Sequence, residues 1–214
     1  MKKEDLPNKI AVFPLSNFII FPQTTVPLNI FEPRYLQMID DAMKGDRMIG
    51  IIQPKKTGDL KKPNLYEVGC VGKITSFKET DDGRYLIVLN GICRYKIINE
   101  LTNDKLYREF RISFQNYKND LSENNEENIK LSDIKSIFND LKILLKKQGY
   151  LINWKDIEKQ KIDQTINTLS MVSPFSLEEK QILLETNTLM ERNKKLAEIL
   201  KIYSIDNFAN NTLQ

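Results

Sequence analysis

Histidine is absent from all 214 residues. Its absence removes the commonest general base, the commonest metal ligand and every Ser-His or Cys-His pairing. Cysteine is nearly absent too: Cys70 and Cys93 stand apart, neither has a C-x-x-C neighbour, and the usual zinc site has no ligands here. Both fall in strand-like runs, where a buried free thiol is the ordinary state and a reducing compartment fits. No apolar run approaches the roughly 18 residues of a membrane helix. The opening MKKEDLPNKI carries charge without an apolar core segment, so a cytoplasmic location off the membrane is expected. A phosphate loop is missing as well. Gly69 and Gly72 are separated by two residues where that loop needs four, and Ile74 follows Lys73 where Ser or Thr is needed. Without these elements no catalytic, metal or cofactor site is expected.

A strong charge of either sign is also lacking, with 32 Lys and Arg against 29 Asp and Glu. Residues 1–118 carry 19 basic and 14 acidic side chains, and residues 119–214 carry 13 and 15. That imbalance is too small for the basic stripe of a dedicated nucleic-acid binder. At 41% hydrophobic and 29% charged the composition is that of a globular chain rather than a disordered one.

What is present is concentrated in Phe13–Arg34, FPLSNFIIFPQTTVPLNIFEPR. Pro14, Pro22 and Pro27 each remove a backbone donor, so the runs between them are short strands with bends, bulges or edges. Pro33 sits where proline is welcome, at the first position of a helix over about 33–44. Tyr35, Met38, Ile39, Ala42 and Met43 form one apolar face of that helix. Phe18, Ile19, Ile20 and Phe21 cannot alternate in and out. Either both faces of this run are buried, the favoured reading, or one face is a sticky patch. Phe31 and Tyr35 are read first as core, and Glu32 with Arg34 as a pair or a polar rim.

Met48–Ile52 reads as a strand, followed by a loop from Gln53 to Leu65. Its lysines Lys55, Lys56, Lys61 and Lys62 make it a candidate mobile, partner-contacting segment. Val68–Lys78 and Arg84–Ile98 read as a hairpin turned by Asp82-Gly83, with Gly69, Gly72 and Gly91 marking bulges or bends. Leu106–Tyr117 reads as the last strand. Residues 119–130 are polar and acidic, as in a linker. Beyond them Ile134, Ile137, Phe138, Leu141, Leu144 and Leu145 give one helix, and Asn153 is placed to cap a second that carries Ile157, Ile162, Ile166 and Leu169. Ser176 with Glu179 and Thr188 with Glu191 have capping-box spacing. The expected division is a β-rich lobe over 1–118, a linker over 119–130, a helical bundle over 131–205 and a frayed tail over 206–214. Strands first and helices second make an α+β chain.

The Phe13–Arg34 stretch resembles the start of the Lon protease N-terminal domain. So do Tyr66-Glu67-Val68-Gly69, the strand through Ile74, the hairpin partner Gly83–Leu89 and Gly91-Ile92-Cys93-Arg94. The resemblance implies a PUA-like pseudo-barrel lobe followed by a helical bundle, with Arg94 structural and bonded to a buried backbone group. It also implies a substrate-binding, non-enzymatic role as an accessory to proteolysis, because the ATPase and Ser-Lys protease modules of that family have no counterpart in these residues. On this reading the partners are unfolded or partly folded polypeptide and a protease or chaperone. Phe18, Ile20, Phe21, Phe31 and Tyr35 are the candidate contacts. An RNA-binding module, by fold analogy, is the alternative, and a free-standing peptidase is a more distant one.

Overall fold

The computed structural model describes residues 6–58, 62–122, 129, 131–147, 149 and 152–209, without the side chains of 131, 133 and 205–209. The chain divides into two compact units, Met1–Ser122 and Glu123–Gln214.

In the first unit the prolines set the strand lengths. Strand β1 (Lys9–Pro14) ends at its proline, and β2 (Thr25–Ile30) carries Pro27 in its middle. Helix α1 (Pro33–Met43) starts on Pro33 and buries Tyr35, Met38 and Ile39. There follow β3 (Met48–Ile52), β4 (Pro54–Gly58), β5 (Pro63–Leu65), β6 (Val68–Glu79), β7 (Tyr85–Leu101), β8 (Arg108–Ser113) and a 3-10 helix over Gln115–Leu121. The main sheet runs β2-β7-β6-β3-β1-β8, and β8 returns to pair with β7. That second pairing closes β7, β6, β3, β1 and β8 into a barrel and leaves β2 as an added strand outside it. β7 is long enough to serve both arrangements, with Tyr85–Asn90 against β2 and Lys96–Leu101 against β8. Register shifts at Val71/Gly72 and Ile74/Ser76 in its ladder with β6 provide the curvature.

Phe21–Thr24 forms a tight turn with Pro22 second and Gln23 third at φ 61°, the pattern of a type II turn. Thr24 Oγ1 donates to the Phe21 carbonyl at 2.7 Å, and Gln23 N–H donates to the Gly91 carbonyl at 2.8 Å. This turn lies so close to β7 that a Cβ at residue 91 would stand 2.1 Å from the Phe21 carbonyl oxygen, which explains Gly91. Ile19, Ile20 and Phe21 are thereby driven into the interior. Gly83, at φ 78°, supplies the left-handed residue of the β6–β7 turn. Cys70 and Cys93 are buried free thiols, and burial pushes the Cys93 thiol far above its ordinary range.

Three expectations for this unit need correction. The loop over 53–65 contains a two-stranded hairpin, β4 with β5, which has no apolar period because it lies outside the main sheet. The last strand starts at Arg108 and stops at Ser113, after which Tyr117 is buried from a 3-10 turn. The linker begins later than residue 119, because Asp120 is held inside the first unit by Arg94. Arg94 bonds to this carboxylate through its side chain and its backbone N–H. Residues 123–128 and 130 of the expected linker lie outside the described residues.

The second unit contains α2 (Leu131–Lys147), α3 (Trp154–Glu158), α4 (Ile162–Val172), α5 (Leu177–Glu185) and α6 (Leu189–Ala209). Leu141, Leu145, Ile166, Leu169, Leu183 and Leu196 are buried. The helix expected from Trp154 breaks into α3 and α4 at Lys159–Lys161. Ile157 and Ile162 are five residues apart, which no single helical face accommodates. Asn153 occupies the α3 cap position without capping through its side chain. The Ser176 capping box is complete: Glu179 N–H donates to Ser176 Oγ at 3.2 Å and Ser176 N–H donates to the Glu179 carboxylate at 2.8 Å. At Thr188 only half forms, since Glu191 accepts from Asn187 N–H instead. α6 continues through 206–209, where a frayed tail was expected, with no Gly or Pro to stop it. Residues 210–214 of that tail lie outside the described residues. No helix among the described residues is long and apolar enough to cross a membrane.

Candidate functional site

The first unit carries a cleft of about 1180 Å³. Its walls are the end of β1, the stretch from β2 into α1, the β4–β5 hairpin and the connection between β7 and β8. Local chemistry presents each wall. Pro33 at the helix start holds Glu32 extended, at φ −77° and ψ 132°, and leaves Phe31 no helical turn to fold under. Phe31 is therefore 64% exposed at the cleft. Leu106 is 63% exposed there, and its backbone N–H donates to Gln37 Oε1 at 2.9 Å, which ties its loop to α1. The Tyr35 ring packs on Phe13 with centroids 4.2 Å apart, and the Arg34 guanidinium lies 4.5 Å from its centre.

Charge pairs brace the walls. Arg108 donates to Glu100 twice, at 3.0 and 2.9 Å, and to the Pro63 carbonyl at 2.9 Å. Lys62 reaches the same glutamate at 3.1 Å, so Glu100 joins the β4–β5 hairpin to the β7–β8 connection. Lys105 donates to the Tyr107 hydroxyl at 2.8 Å, and that hydroxyl donates to Asp41 at 2.8 Å. The Tyr107 bond holds Lys105 above its ordinary pKa and Asp41 below its own. The Arg108 bond likewise lowers Glu100, while burial raises Tyr35 and Tyr107. Every one of these shifts moves the group away from neutral pH. The site thus holds fixed charges and protonated phenols, suited to binding, and none of these groups is poised for proton transfer near pH 7.

Among the described residues, Arg34, Lys55, Lys56, Lys62, Lys105 and Arg108 line the cleft, with Glu32 and Glu100. One rim is the outer edge of β2, which among the described residues pairs with β7 alone. Gly91 N–H donates to the Thr24 carbonyl at 2.8 Å. Stepping by two along the register puts Val26 and Leu28 in the bonded pairs and turns the Pro27 nitrogen toward the open edge.

Of the residues singled out from sequence, Phe31, Tyr35, Lys55, Lys56 and Lys62 come together at this cleft. Lys61 lies outside the described residues. Ile20 and Phe21 are in the core and Phe18 is partly buried against it, so none of the three lines the cleft. Phe31, read first as core, is instead exposed. Sequence reasoning missed Leu106, Lys105, Arg108 and Glu100. The sequence pattern places Leu106 in a strand; it lies instead in the loop before β8, where its side chain is exposed. Among the described residues no group of three His, Cys, Asp or Glu side chains is placed to hold a metal ion.

A family model described as the ATP-dependent protease La (LON) substrate-binding domain matches residues 9–202. A Lon protease of Desulfosudis oleivorans is 27% identical over 212 residues, which is 93% of this chain and 25% of that protein. Lon protease 2 of Myxococcus xanthus is 25% identical over 209 residues, 94% of this chain and 24% of that protein. The chain thus spans about a quarter of the length of these curated relatives. The crystal structure of a Lon N-terminal domain protein from Xanthomonas campestris shares the fold. Its TM-score is 0.65 at 17% identity, covering 89% of this chain and 97% of that one. The N-terminal domain of a Mycobacterium avium complex Lon protease does so with a TM-score of 0.61, also at 17% identity, covering 90% and 98%.

Proposed function

We propose, since the chain belongs to the ATP-dependent protease La (LON) substrate-binding domain family, that it is a non-enzymatic module that holds exposed apolar polypeptide in its cleft, as an accessory to proteolysis or protein quality control. One observation carries this reading. Phe31 and Leu106, the two most exposed large apolar side chains of the first unit among the described residues, line the same cleft. Large apolar side chains left in water at a concave surface mark a place where a partner covers them. The partner that fits is a segment of an unfolded or partly folded chain, whose apolar side chains are available only before folding. A protease or chaperone would take such a segment onward.

Fluorescence anisotropy with labelled unfolded segments, set beside their folded parents, tests the proposal. The unfolded probes are expected to bind, and the double variant Phe31→Ser, Leu106→Ser to lose at least about tenfold in affinity, about 1.4 kcal/mol. Equal binding by the double variant, or no preference for unfolded probes, would remove the reading.

A further inference from the structure

Helix α1 carries two polar side chains, Gln37 and Asp41, one turn apart on the face away from the buried Tyr35, Met38 and Ile39. Both reach the connection between β7 and β8. Gln37 Oε1 accepts from the Leu106 backbone N–H at 2.9 Å, and Asp41 accepts from the Tyr107 hydroxyl at 2.8 Å. On either side of Leu106 the chain is fastened by side chains. Asn103 and Lys105 each donate to Glu109 at 3.1 Å, and Tyr107 is buried.

Leu106 is held differently. Its side chain is 63% exposed, so packing does not fix it, and the bond from its backbone to Gln37 is what joins it to α1. The same helix begins at Pro33, two residues after Phe31. One rigid element thus sets the separation of the two apolar contacts, Phe31 through the chain entering its first turn and Leu106 through Gln37. Fixing that separation before a segment arrives avoids the entropy that a loose loop would lose on binding. Gln37 itself lies outside the cleft lining.

From this we infer that Gln37 is a positioning residue for polypeptide binding, which holds Leu106 at the distance from Phe31 that the bound segment requires. The inference rests on the polypeptide-binding reading above and adds the residue that keeps its two contacts in place.

Gln37→Met keeps the length of the side chain and removes the acceptor, whereas Gln37→Glu keeps an oxygen for the Leu106 N–H. In the anisotropy assay with labelled unfolded segments, Gln37→Met is expected to bind about fivefold more weakly than the parent, and Gln37→Glu like the parent. Thermal melts of both should coincide with the parent's, because the exposed Leu106 N–H can turn to water. The Leu106 amide should exchange with solvent faster in Gln37→Met. In a Leu106→Ser background Gln37→Met should add no further loss of affinity, since no apolar side chain is left to place.

Parent-like binding by Gln37→Met, or an equal loss in both backgrounds, would overturn the inference and leave the polypeptide-binding reading standing. A loss in Gln37→Glu as large as in Gln37→Met would overturn it too. Unfolded segments that the parent itself fails to bind would overturn both.

Discussion

Asp120 holds Arg94 at three points, accepting from its backbone N–H at 2.9 Å, from Nε at 2.9 Å and from a terminal nitrogen at 2.8 Å. The side chains are 3% and 7% exposed, and the guanidinium lies 4.2 Å from the centre of the Tyr117 ring. The pair fastens the 3-10 helix to β7. Asp120→Ala leaves a buried guanidinium without its carboxylate and is expected to cost about 3–5 kcal/mol. The double variant Arg94→Met, Asp120→Leu removes both charges and should cost less than the single one. Urea titrations followed by far-ultraviolet circular dichroism measure both. An Asp120→Ala protein as stable as the parent would show that the pair contributes nothing.

The approach of the Phe21 turn to Gly91 makes a contrast between two glycines measurable. Gly91→Ala forces a methyl group into the Phe21 carbonyl and should cost about 3 kcal/mol or more, by displacing the turn or the strand. Gly83→Ala meets no atom within 4 Å and pays only for its left-handed backbone, about 1 kcal/mol. Thermal melts of the two variants should therefore be well separated. Coincident melts would contradict the close packing at β7.

Phe21 and Phe31 are both phenylalanines of the opening stretch, yet they should behave oppositely. Phe21→Ala opens a cavity at a fully buried position and is expected to cost about 3–5 kcal/mol. Phe31→Ala, at an exposed position, should change stability by no more than about 0.5 kcal/mol while weakening peptide binding. A stability loss at Phe31 equal to that at Phe21 would place Phe31 in the core after all.

These two residues also mark the limit of what the sequence discloses. The prolines, the Asp82-Gly83 turn and the apolar face of α1 are local features, and each fixed its element without help from distant residues. Burial of Ile20 and Phe21 followed from a four-residue apolar run that has no polar face. Phe31 lies just one residue outside β2, where exposure depends on how the chain enters α1. Leu106 depends on whether β8 begins before or after it. The buried partners of Arg94 and Arg192 come from elsewhere in the chain, Asp120 and the Leu183 carbonyl, and nothing in the spacing signals them. The charged lining of the cleft gathers lysines from the β4–β5 hairpin beside arginines from α1 and β8. No window of sequence contains that set.

The Tyr107–Asp41 bond predicts a pH response. Asp41 titrates below its ordinary 3.8 because it accepts from the Tyr107 hydroxyl, so its contribution to stability is present above that value. The contribution is lost as pH falls through 3.8 toward the lower folded value. Tyr107→Phe removes the largest cause of the shift, and the Asp41 carboxyl should then titrate closer to 3.8. Carboxyl-detected nuclear magnetic resonance titration of the parent and the variant reads this directly. An unchanged Asp41 midpoint would assign the shift to Lys44 and Lys105 instead.

Barrel closure also sets a timetable. β1 pairs with β8 through Lys9↔Arg111 and Ile10↔Phe110, partners separated by about 100 residues of chain. At about 5–20 residues per second on the ribosome, the N-terminal strand waits roughly 5–20 s for the strand that covers its second edge. β3 arrives earlier and can shield the other edge. Until β8 arrives, Ile10 and Val12 lie on a strand with one unpaired edge, the place where the nascent lobe is most open to mispairing.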